Sequence, residues 1–302
     1  MDATEAGIDE TALQSAAAVT MVKGDLFFLK LWIDHYGAQF GKENLYVVNH
    51  GRGADVAELA AGCNVIGIPE GSVEDFDRVR WRFLNNMVAG LNAYYRHVVV
   101  GDVDELLILD PASGKQLGDW LRTQPGGRVM TALGLEVLHH PDEETGDVAS
   151  GVLGPRRYVR TSMFYSKPCV VSTPTRIARG GHFSSYPKLA LPEDLYLLHL
   201  KYCDFDAYVD TLEARNKFAD RSSISFRKTM IGRHWFSKFR EDDAAVFRAF
   251  GALQLEAGFD MAGYRKRMAE TFKPRGDSGY FQFDRTEDTK KYLLPDRFFG
   301  LV

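Results

Sequence analysis

The sequence predicts an α/β fold: a mostly parallel sheet with flanking helices, followed by a helical C-terminal part. Three observations carry that expectation. Short apolar runs alternate with segments of helical period from residue 17 to residue 100. The first four runs each stop at or next to a polar or turn-forming position, namely Lys23, Asn49, Pro69 and Asp102. After Asp204 the composition turns helical and aromatic, which sets a boundary between residues 17–204 and 205–302.

Taken in order, residues 17–23 (AAVTMVK) read as the first strand. From Asp25 to Tyr36, Leu26, Leu29, Ile33 and Tyr36 recur at helical spacing beside Phe28 and Trp32, and Gly37 is the expected stop. Leu45 to Val48 forms a second strand that ends in the polar turn Asn49 to Asp55. Val56 to Ala61 suits a short helix, and Val65 to Ile68 a third strand closed by Pro69. Residues 75–95 read as a long helix carrying Phe76, Val79, Phe83, Met87 and Leu91. Val98, Val99 and Val100 are β-branched in succession, the pattern of a strand buried on both faces.

Beyond residue 111 the pattern loosens. Leu117 to Leu121 suits a helix and Arg128 to Leu133 a strand, with later strands at Val170-Val171 and Leu195 to Leu198. Residues 141–156 are rich in Pro, Asp, Glu and Gly and read as a loop able to close over a site. The C-terminal aromatics include Phe205, Tyr208, Phe218, Phe226, Trp235, Phe236, Phe239, Phe247 and Phe250.

At 302 residues, with 45% hydrophobic and 26% charged residues, the composition is that of a globular protein. A formal net charge of −4 gives no overall attraction for nucleic acid or an anionic membrane, though it leaves local basic patches open. Cys63, Cys169 and Cys203 lie far apart without zinc spacing, which suits a reducing compartment. No apolar run approaches the roughly 18–20 residues of a membrane span. The acidic N-terminus has no basic segment leading into an apolar one, so it does not read as a secretory signal. The expectation is therefore a cytoplasmic protein, with room for peripheral membrane contact and for a homo-oligomer.

The chemistry concentrates at Gly101-Asp102-Val103-Asp104-Glu105, where three carboxylates interrupt two apolar runs. So much negative charge at the end of a buried strand is costly unless a cation neutralises it. On an extended segment Asp102 and Asp104 point the same way and can share one divalent ion. A solvated loop or a helix cap is the plain alternative. His199 interrupts the apolar run LYLLHLKYC at 195–203, and Lys201 follows two residues later. Imidazole is a metal ligand and ammonium a phosphate partner, so both are candidates for the same site. Gly180-Gly181 before His182 would allow close backbone approach to a ligand, or simply a turn. His139-His140 resembles a zinc cue, but adjacent strand residues face opposite ways.

These residues resemble a family-2-like glycosyltransferase of the GT-A fold, in particular a bacterial group that opens on a Met-Val-Lys-Asn-Glu-like stretch. The matching pieces are Thr20-Met21-Val22-Lys23-Gly24-Asp25, Trp32-Ile33-Asp34-His35-Tyr36, Val47-Val48-Asn49-His50-Gly51 and Gly101 to Leu107, with Gly181-His182 and His199-Leu200-Lys201-Tyr202 further on. The match spans roughly residues 18–218. Gly24-Asp25 replaces the usual Asn-Glu, and Asn49-His50 stands where many relatives have Asp-Asn. The resemblance implies a nucleotide-diphospho-sugar transferase-like domain that holds Mn²⁺ or Mg²⁺ against the diphosphate of a nucleotide sugar, a UDP-sugar being favoured. It places Asp102, Asp104 and His199 at the metal, and Thr20, Val22, Asn49, Arg82, Asp102 and Lys201 near the nucleotide.

The expected reaction is sugar transfer to a glycan, lipid or other acceptor with inversion. That outcome requires a carboxylate general base, for which Glu136 and Asp142 are the candidates. Two other classes compete: a phosphohydrolase with Asp102 as nucleophile, and a non-catalytic sugar- or protein-binding module on a degenerate transferase scaffold. Arg233, His234, Trp235, Lys238 and Arg240 could meet an acceptor or a membrane surface, or else cover a sheet edge or mediate self-association.

Overall fold

The structure is a computed structural model that describes residues 13–70, 76–219, 243–286 and 288–302. In chain order the first elements are β1 (Gln14–Val22), α1 (Leu26–Phe40), β2 (Leu45–His50), α2 (Ala54–Leu59), β3 (Asn64–Ile68), α3 (Phe76–Leu91) and β4 (Tyr95–Val100). Next come β5 (Glu105–Leu109), α4 (Leu117–Thr123), β6 (Val129–Thr131), β7 (Leu133–Leu138), β8 (Tyr158–Thr161), β9 (Pro168–Val171) and β10 (Leu195–His199). The chain continues through α5 (Phe205–Ala219), α6 (Asp243–Gly251), β11 (Gln254–Glu256), α7 (Ala262–Glu270), the short β12 (Lys273–Pro274) and β13 (Phe281–Gln282), and β14 (Lys290–Leu293).

The expected α/β class holds, but the described residues form two six-stranded sheets rather than one, with a small two-stranded sheet of β12 and β13 beside them. The first runs β3-β2-β1-β4-β9-β6, its first four strands parallel and the last two antiparallel to their neighbours. The second runs β11-β14-β8-β7-β10-β5 and is mixed. Ala18, Val47 and Val99 belong to one apolar cluster, and Val19, Val48, Val98 and Val100 to another. Burial on both faces explains why these strands read as continuous apolar runs rather than as alternation.

Helix α1 shows how the sheets are tied together. Phe28, Trp32 and Tyr36 are almost wholly buried, each contributing about 1.5–3 kcal/mol. The edge strand β5 has backbone groups that no strand satisfies. The Leu107 N–H donates to Tyr36 Oη at 2.8 Å, and His35 Nε2 lies 2.8 Å from the Leu107 carbonyl. Burial pushes the His35 pKa down, so the neutral ring donates to that carbonyl. Gly37 does not stop the helix, which continues to Phe40 and closes on Gly41 at φ 83°. The stacking of Tyr36 on Phe40 favours that extra turn over the roughly 1 kcal/mol cost of an internal glycine. At the other end, Gly24 (φ 72°) and Asp25 (φ 48°) are both left-handed. A glycine is the easiest residue to place there, and aspartate is one of the few other residues that tolerate the same region.

Two further expectations are corrected. The C-terminal region is not simply helical, because β11 and β14 complete the second sheet and Phe298 is fully buried in the shared core. The strands are only three and four residues long, too short to register against the surrounding charge. Residues 141–156 are irregular as expected but pinned rather than poised to close. The Arg156 Nε donates to the Cys203 carbonyl at 2.7 Å, and Glu144 accepts from the His140 N–H at 2.9 Å. Phe226, Arg233, His234, Trp235, Phe236, Lys238, Phe239 and Arg240 lie outside the described residues, and Phe218 belongs to α5.

Candidate functional site: an acidic turn between two sheets

The acidic motif lies where the chain leaves one sheet for the other. β4 ends at Val100 in the first sheet and β5 begins at Glu105 in the second. Residues 101–104 are therefore not extended. They turn, and the Glu105 N–H donates to the Asp102 carbonyl at 3.1 Å. The period-two argument for Asp102 and Asp104 fails at this corner, and the two side chains meet different partners. β1 braces the turn through Thr20, whose Oγ1 donates to the Gly101 carbonyl at 3.0 Å.

Asp102 forms an ion pair with Arg80 of α3, and its other oxygen lies 3.5 Å from Lys167 Nζ. Lys167 also pairs with Glu105, which accepts the Asp102 N–H at 3.3 Å. Lys167 and Glu105 are 4% and 2% exposed, so each charge depends on the other for compensation.

Asp104 faces β10 instead. His199 Nε2 lies 3.7 Å from Asp104 Oδ2, and His199 Nδ1 lies 3.4 Å from Glu136 Oε1. The pairing registers explain this grouping. His199 is opposite Glu105 on β5 and Glu136 on β7, and Glu136 is opposite Arg160 on β8. Four ionisable residues thus form one row across four strands, on one face of the sheet. Arg160 Nε donates to Glu136 Oε2 at 2.9 Å. Burial alone would raise the Glu136 pKa, but His199 and Arg160 outweigh it and hold the carboxyl below its ordinary value. The Tyr165 ring stacks on His199 at 3.5 Å between centroids. Its phenol is pushed up by burial and then by the charge of Glu136, and stays protonated.

The other expected site residues take separate places. Val22 is core. The Asn49 side chain closes its own turn, donating to the Gly53 carbonyl at 2.7 Å and accepting the Gly53 N–H at 3.0 Å. Arg82 is exposed on α3, on a different side from Arg80. Lys201 follows the end of β10 in a turn, and its ammonium lies over the Tyr202 ring at 5.0 Å. It therefore does not share a strand face with His199. Asp142 is exposed on the 141–156 segment. His139 accepts the Phe205 N–H at 3.0 Å and His140 stacks on Tyr158, both structural contacts.

Sequence reasoning missed Arg80, Lys167 and Tyr165. Arg80 was legible in part. The buried face of α3 is Asp77, Arg80, Trp81, Leu84 and Val88, whereas the expected face included Val79, which is 56% exposed. An arginine four residues before Leu84 on that face marks a buried cation. Lys167 carried a weaker signal, as the lone charge against the apolar run Pro168 to Val171.

Among the described residues, no group of three His, Cys, Asp or Glu side chains is arranged to hold a metal ion. Of the expected metal ligands, Asp104 and His199 face one another. Their 3.7 Å separation is too long for a hydrogen bond. Neighbouring ligands of an octahedral ion sit about 3 Å apart, so the two side chains would have to draw together to share one. Among the described residues no helix is long and apolar enough to cross a membrane. No protein-family model matches the chain, and no curated protein matches it.

Proposed function

We propose that this chain is a metal-dependent glycosyltransferase that moves a sugar from a nucleotide-diphosphate donor, a UDP-sugar being favoured, to an acceptor. The observation that carries the reading is the Asp104–His199 pair, set where the parallel strand β4 ends. Ligands of open parallel sheets gather outside such strand ends. Asp104 and His199 would hold Mn²⁺ or Mg²⁺ together with diphosphate oxygens, since such ions commonly take few protein ligands and complete their shell with phosphate and water. Bound there, the ion would neutralise charge on the departing diphosphate.

The chain's own residues supply the rest. Glu136 orients the His199 ring from behind, the outer-shell arrangement that raises ligand basicity. That role fits it better than general base, because a buried carboxylate held below its ordinary pKa is a weak proton acceptor. Lys167 and Arg80 place two cations beside the turn and fix Asp102. This clamp argues against Asp102 as a phosphohydrolase nucleophile. It also motivates one competing reading, a sugar-binding module without catalysis, because the clamp balances Asp102 with no ion present.

Calorimetry of UDP binding with and without Mn²⁺ tests the proposal. Mn²⁺ should tighten UDP binding at least tenfold, about 1.4 kcal/mol, and Asp104→Ala should erase that gain while thermal unfolding stays cooperative. Equal UDP affinity with and without Mn²⁺ would overturn the reading. Metal-dependent binding with neither transfer nor donor hydrolysis across a donor panel would favour the binding module.

A further inference from the structure

A second feature lies along α3. A cleft of about 1390 Å³ runs between the outer side of that helix and the segments around residues 174–185 and 275–280. Arg78 and Arg82 of α3, with Arg176 and Arg275 opposite, contribute four guanidinium groups to its walls. Among the described residues lining it there is no aspartate or glutamate. In a chain with 41 acidic and 37 basic residues that is a sharp local departure.

The positive field extends behind the wall. Arg275 and Arg285 both lie over the Phe183 ring, at 4.6 and 4.1 Å. Burial, and then the Arg275 charge, draws the Arg285 pKa down to about 10, so the group stays protonated at neutral pH. The positive field of the two guanidinium groups favours an anion nearby.

The remaining wall chemistry is that of sugar recognition. Trp81, Phe183 and Tyr280 contribute aromatic side chains to the walls, and Asn86 and Ser185 contribute amide and hydroxyl groups. The volume exceeds the 300–1,000 Å³ of ordinary small-molecule pockets, which suits an oligomer rather than one sugar. The arginines surround a single cleft instead of forming the stripe that tracks a nucleic-acid backbone.

We propose that this cleft binds an oligosaccharide bearing carboxylate or phosphate groups. Guanidinium groups recognise both anions bidentately, which accounts for four arginines and no lysine on the walls. The cleft adjoins the acidic turn. A methyl group at Gly181 would lie 2.9 Å from Trp81 Cζ2 and 3.5 Å from Lys167 Cδ, so the Trp81 wall and the Lys167 stem meet at that glycine. Arg80, one residue before Trp81, holds Asp102. If the donor sits at the turn, the anionic glycan is the acceptor; that identification rests on the transferase reading, whereas the binding itself does not.

Calorimetry with tetragalacturonate, neutral cellotetraose and a short single-stranded DNA tests the inference at low and high salt. Tetragalacturonate should bind and cellotetraose should not, with affinity falling as salt rises. The double variant Arg176→Ser/Arg275→Ser should weaken tetragalacturonate at least about tenfold. Both arginines are exposed, so the variant should fold normally. UDP titrated with Mn²⁺ into the same variant should bind as to the unaltered chain. No tetragalacturonate binding, equal binding of the neutral sugar, tighter binding of the DNA, or an unaffected double variant would each overturn the proposal. Failure of UDP to bind while tetragalacturonate still does would count against the donor site alone.

Discussion

The acidic turn and the arginine cleft lie on two sides of the same helix and handle charge in opposite ways. At the turn, charges alternate in sign and are mostly buried: Arg80, Asp102, Lys167 and Glu105 form one chain of ion pairs, and Glu136 pairs with Arg160 beside the His199 ring. In the cleft, the charged side chains among the described lining residues are all arginines, and Arg82, Arg176 and Arg275 are exposed to solvent. Burial makes compensation obligatory, because an unpaired charge in the interior costs several kcal/mol. Water relaxes that demand, so an exposed cluster of one sign persists at little cost and marks where a ligand of opposite sign is welcome.

The sharpest test of this contrast removes a buried partner. Lys167→Met keeps the length of the side chain but strands the Glu105 charge, and should destabilise the fold by about 3–5 kcal/mol. Urea unfolding measures it, and a loss under about 1 kcal/mol would mean that water reaches the row.

A subtler effect belongs to Glu136. Its carboxyl titrates below its ordinary value of 4.5 in the folded state, with burial opposing and His199 and Arg160 outweighing it. The folded form therefore holds fewer protons than the unfolded chain just below that value. The resulting stability is fully present above about pH 4.5 and is lost as pH falls through the lower folded value. Glu136→Gln should flatten the acid limb of stability against pH. A limb as steep as that of the unaltered chain would show that Glu136 is not linked to folding.

The smallest effect is expected in the cleft. Arg176→Ser should change unfolding free energy by less than about 0.5 kcal/mol, since its guanidinium is exposed. A larger loss in thermal or urea unfolding would show that this arginine supports the fold, and the two regions would then differ less than their exposures suggest.

The framework of the first half was legible because local patterns suffice for it. β-branched runs such as Val98 to Val100 and the helical spacing around Trp32 and Tyr36 place the parallel strands and α1 within a few residues of their observed ends. The second sheet was not legible as a separate layer. Its strands are short, and β14 joins β8 from more than a hundred residues away. The site was legible by half. Asp102, Asp104 and His199 announce themselves as charge or imidazole inside apolar sequence, but their partners do not. Arg82 and Lys201 were reasonable choices by spacing, yet helix rotation and a strand ending at His199 send both elsewhere.

The sequence by itself determined the alternating strands and helices of the first hundred residues, and that three carboxylates must sit at the end of a buried strand. That much follows from residue chemistry and periodicity, which act over a few positions. Only the tertiary structure decided which cations answer those carboxylates. Lys167 reaches Asp102 across 65 positions of chain and Glu105 across 62, and His199 meets Glu136 only because β10 pairs with β7. Compensation of buried charge is a short-range demand in space with no fixed range in sequence. The same limit applies to the cleft, whose arginines are ordinary surface residues until α3 and two distant loops set them around one cavity.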